Sequence, residues 1–65
     1  MMNDSEALSA FWKVINTIES ANYEHMTNGS VKNMINNFDN MYNSSEMLQH
    51  LLIAYNQKLI KLENN

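Results

Sequence analysis

Glu46 and His50 stand four residues apart, so on a helix they share a face, and a carboxylate and an imidazole at that spacing can hold a metal ion. A tetrahedral site needs two ligands more. These would have to come from His25 or Glu24, far away in the chain, and there is no cysteine to offer a thiolate. The pair is therefore read as a surface feature, and no metal or other cofactor is expected. Hydrolysis asks for a nucleophile, a base and a group that orients the base. Capping and solvation already account for the serines. Ser5, Ser30, Ser44 and Ser45 fall at helix starts, and Ser9 and Ser20 fall on a polar helix face. Gly29 is the one glycine, so no glycine-rich loop can cradle a phosphate or a dinucleotide. The acids are spread along the chain without a paired set of the kind that cleaves glycosides. A helical domain this small also leaves little room for an enclosed pocket. The expectation is a protein that is not an enzyme. Asn28-Gly29-Ser30 and Asn43-Ser44-Ser45 match the glycosylation acceptor pattern, but both lie where turn and cap chemistry explains them.

Charge narrows the partners. Four lysines, no arginine and seven acids give a net charge of −3 over 65 residues. Nucleic-acid binders use a basic stripe and arginine forks, and neither is available here, so the balance argues against DNA or RNA. Lys58 and Lys61 near the chain end are read as complements to the negative end of a helix dipole. No apolar run approaches the roughly 20 residues needed to span a bilayer. The opening MMNDSEALSAF carries acids where a secretory signal carries basic residues, so a cytoplasmic protein is expected. Without cysteine no disulfide can staple the fold.

These residues must be positioned by helices, since strict alternation of the strand kind persists nowhere. Asn3-Asp4-Ser5-Glu6 reads as a capping box. After it, Leu8, Phe11, Trp12, Val14, Ile15 and Ile18 fall on one arc of about 160°, which predicts a first helix over about 4–22. Trp12 and Val14 mark the edges of that arc. Residues 22–30 read as a break, with Asn28-Gly29 as a turn, Ser30 as the next cap, and Tyr23 and Met26 folded back over the core. Val31, Met34, Ile35, Phe38, Met41 and Tyr42 share an arc of about 120°, which predicts a second helix over about 31–42 with its back to water. Asn43-Ser44-Ser45 ends it and caps a third helix over about 45–63. The joint is short, so the second and third helices are expected as an antiparallel hairpin. The predicted architecture is all-α, a three-helix bundle in a single domain spanning 1–65.

The third helix organises the rest. Leu48, Leu52, Tyr55, Leu59 and Leu62 repeat at 4, 3, 4, 3, the spacing of a helix-packing seam, and Leu51 widens it. Ile53 and Ile60, seven residues apart, stand together well over a quarter-turn from that seam. A helix with two apolar faces has two things to touch. The first helix could wrap round and cover these isoleucines; otherwise they meet a second copy of the chain or a different protein. Trp12 and Met47 join Ile53 and Ile60 as candidate protein-binding residues, each of the two also explicable as core edge. A core this small is marginal against backbone ordering, which favours a homodimer. The functional expectation is a small regulatory protein-binding module, an adaptor, inhibitor or antagonist, that docks through an apolar helix face. A self-assembling structural protein is the alternative, and a DNA-binding regulator a further one.

Overall fold

A computed structural model of the chain describes residues 4–64. Among them every regular element is helical: α1 (Asp4–Ser20), α2 (Tyr23–Thr27), α3 (Ser30–Tyr42) and α4 (Ser45–Glu63). The three expected helices are thus four, because the segment read as a break contains the five-residue α2. Asn22 starts it, its side-chain oxygen accepting from the His25 backbone N–H at 2.8 Å. That cap also stops α1 at Ser20, short of the predicted end. The capping box built on Asn3 lies outside the described residues.

The chain takes its two tightest bends where the side chains permit them. Gly29 sits at φ 95, in the left-handed region that glycine adopts without penalty. Gly29 is itself the N-cap of α3. The acceptor there is the Asn28 side chain, which takes the Ser30 backbone N–H at 2.9 Å. Ser30, expected as the cap, is instead the first residue of the helix. Asn43 takes φ 54 after α3, and Ser44 then caps α4 by accepting from the Met47 backbone N–H at 3.3 Å.

The core contains only apolar side chains: Val14, Ile18, Ile35, Phe38, Leu51 and their neighbours. Two pairs fix how α1 lies on α4. The Phe11 ring meets the His50 ring, and Lys58 reaches the Glu19 carbonyl across a separation of 39 residues. The ring pair has that same separation, so α1 and α4 run parallel. Early α1 (Ala10, Val14) lines a cleft with late α3 (Phe38, Tyr42), and late α1 (Thr17, Ser20) lines one with early α3 (Ser30, Val31). α1 and α3 are therefore antiparallel. None of the described helices is long and apolar enough to cross a membrane.

The third predicted helix is rotated from its expected setting. Leu51 is completely buried, while Leu52 is 40% exposed. The seam of α4 thus runs through Leu48, Leu51, Tyr55, Leu59 and Leu62, with Ala54 and Lys58 on its flank towards α1. Met41, placed by its arc among the core residues of α3, is 70% exposed. Tyr23, expected over the core, is exposed, whereas Met26 is fully buried as expected.

Two side chains tie the helices together by their polar ends. The Tyr55 hydroxyl donates to the Met26 carbonyl at 2.6 Å, which pins α2 to α4. Lys58 Nζ donates to the Glu19 carbonyl at 2.6 Å. α1 has no basic residue in its own last turn, so α4 supplies the cation that its C-terminal carbonyls favour. Lys58 was expected to serve its own helix; the parallel packing hands it to α1. Tyr55→Phe keeps the ring packed and leaves the Met26 carbonyl without its donor. The variant is expected to lose about 1 kcal/mol in a urea melt. A loss indistinguishable from zero would mean that the hydroxyl bond contributes nothing net.

Candidate functional site: the outer face of α4

The residues that could have carried chemistry are all at the surface. Glu46, His50, Glu24 and His25 are exposed, and no polar or charged side chain is buried among the described residues. Nor do three histidine, aspartate or glutamate side chains gather there in a group able to hold a metal. His50 presents its ring edge-on to Phe11, with centroids 6.4 Å apart and planes at 84°. This is a packing contact at the border of α1 and α4.

The protein-binding candidates divide. Ile53 is 54% exposed and Ile60 57% exposed. At 100° per residue they lie roughly 160° and 180° around α4 from the buried Leu51. They stand on the side of the helix turned away from the core. The possibility that the first helix covers them is therefore overturned: both remain more than half exposed, while α1 packs along the flank that carries His50, Ala54 and Lys58. Leu52, also expected in the seam, borders the same outer stripe, with Gln49 and Asn56 between. Asn56 is exposed, and no charge interrupts the stripe from Gln49 to Ile60.

Met47 does not join them. It is half-buried and packs against the core, because the rotation of α4 turns it inward towards α1. Trp12 is 53% exposed on α1, its ring edge-on to Phe11 at 5.4 Å. It lies at the edge of its arc, as its position predicted, on a different helix from the isoleucines. The structure therefore leaves Ile53 and Ile60 exposed on one face of α4, packs Met47 against the core, and leaves Trp12 exposed on α1.

Sequence reasoning passed over one further surface. Between α1 and α3, Ala10, Val14, Met34, Phe38, Met41 and Tyr42 line an open apolar cleft. The methionine content of the second helix was its only advance signal, and a stripe of core residues was the simpler reading of it.

Comparison of the chain with protein-family models, with curated proteins and with solved structures returns no match.

Proposed function

We propose that this chain is a small, non-enzymatic regulatory binding module that docks on protein through the outer face of α4, as an adaptor, inhibitor or antagonist. One observation carries the reading. Ile53 and Ile60 are large, exposed, aligned and diametrically opposite the core, so their apolar surface does nothing for the fold. Single exposed apolar residues are ordinary. Here two of the best strand-forming, water-avoiding side chains occupy a helix at one-heptad spacing, where polar residues would have served the monomer better. The architecture that presents the face is a bundle of the three long helices. In this reading α3 and α4 form an antiparallel hairpin, which the antiparallel course of α1 against α3 and its parallel course along α4 support.

Ile53→Glu and Ile60→Lys, made separately, test the reading. On a face that serves only binding, either change should alter monomer stability by no more than about 0.5 kcal/mol. Circular dichroism should keep its helical signal, while native mass or capture of a bound protein, identified by mass spectrometry, falls. Unchanged mass together with unchanged capture in both variants would discard the outer face as a docking surface.

A further inference from the structure

The outer face of α4 has a register of its own. Gln49, Ile53, Asn56, Ile60 and Glu63 follow one another at 4, 3, 4, 3, the spacing of a coiled-coil seam. All five are exposed. The apolar and polar members are segregated: both isoleucines occupy one class of seam position, and Gln49, Asn56 and Glu63 occupy the other. That segregation makes the stripe complementary to itself in one orientation only.

When two such stripes lie parallel and in register, each layer meets its own kind. Ile53 packs on Ile53 of a second copy, and Ile60 on Ile60. Between them Asn56 faces Asn56, and a side-chain amide can donate to and accept from its twin. Antiparallel pairing would instead set one class against the other. Each isoleucine would then lie on an amide or on the Glu63 carboxylate, losing apolar contact and leaving buried polar atoms without partners. Charge agrees with self-pairing. The stripe is neutral from Gln49 to Ile60, so a chain of net charge −3 can approach its copy here without like charges facing each other until the last turn, at Glu63.

We infer that α4 pairs with α4 of a second copy of this chain, parallel and in register, with Ile53 and Ile60 as its apolar layers and Asn56 as the polar layer that fixes the register. The inference rests on the outer face being a docking surface and names what docks there. The strip is short beside the roughly 800 Å² per partner of a standard interface, so the pairing is reversible and falls away on dilution.

The absence of cysteine allows a clean test. Gln49→Cys and Glu63→Cys each place one thiol on an exposed seam position, and Asn36→Cys places one on the exposed back of α3 as a control for random collision. Circular dichroism checks that all three remain folded. In a glutathione redox buffer, the two seam variants should each form a disulfide dimer of twice the 7.6 kDa chain mass, at least tenfold faster than the control. A mixture of the two seam variants, one isotope-labelled, should give like-with-like dimers in excess of mixed ones. An excess of mixed disulfides would overturn the parallel register. Seam crosslinking no faster than the control would remove the second copy as occupant. In that second case Ile53→Glu separates the two ideas. If it still abolishes capture of a different protein, the docking face stands without self-pairing; if it changes nothing, both fall.

Discussion

Leu51→Ala is expected to destabilise the chain by about 2–5 kcal/mol, and Leu52→Ala, one residue on, by less than about 1 kcal/mol. The contrast follows from burial. Leu51 is fully enclosed in the cluster that also holds Ile18, Ile35 and Phe38, so its truncation leaves a cavity that several helices must close together. Leu52 is 40% exposed, so its truncation removes little from water and opens no void. A domain of this length has on the order of 3–10 kcal/mol of stability in total. The first variant is therefore largely unfolded or close to it, and the second remains native. Urea melts followed by circular dichroism separate them. Equal losses, or a larger loss at Leu52, would return the seam of α4 to the setting predicted from spacing and reject the observed rotation.

Met26→Ala is the second large effect, expected at about 2–4 kcal/mol. Five residues cannot sustain a helix by themselves, since nucleation is costly and α2 has barely one turn over which to recover it. The segment is held by the Met26 side chain, which has no exposed surface, and by the Tyr55 hydroxyl on the Met26 carbonyl. Removing the thioether arm weakens both, because the carbonyl is positioned by the side chain beside it. Amide exchange should therefore accelerate over 22–28 before it does in α1 or α4. Uniform acceleration throughout the chain would show instead that α2 opens only with the whole fold.

The wheel position of α3 was legible because polar residues mark its boundaries, whereas in α1 Leu8, read within the core arc, is 49% exposed. Lys32, Asn33, Asn36 and Asn40 leave α3 one way to face, and only Met41, at the edge of its arc, ended in water. α4 offered no such marker. Leucine occupies both 51 and 52, and Leu48, Tyr55, Leu59 and Leu62 belong to either seam. Local pattern cannot choose between two apolar settings a fraction of a turn apart. The neighbours choose, here by seating Ala54 and Lys58 against α1. The short α2 escaped for a related reason: five residues hold too little periodicity to reveal a helix that tertiary contacts sustain. Of the candidate site, the pairing of Ile53 and Ile60 on one face was legible from their spacing alone. Whether anything within the chain covers them depended on the rotation of α4, as did the inward turn of Met47.

The half-exposed Trp12 has a practical consequence. It is the single tryptophan, and its indole already meets solvent in the folded chain. Its emission should sit near that of a hydrated indole before denaturant is added, so unfolding will move the wavelength little. Intrinsic fluorescence is then a poor gauge of this fold and a sensitive gauge of anything that covers α1. A blue shift on mixing with another molecule would report dehydration of that ring on α1, in a signal that the folding equilibrium hardly contaminates.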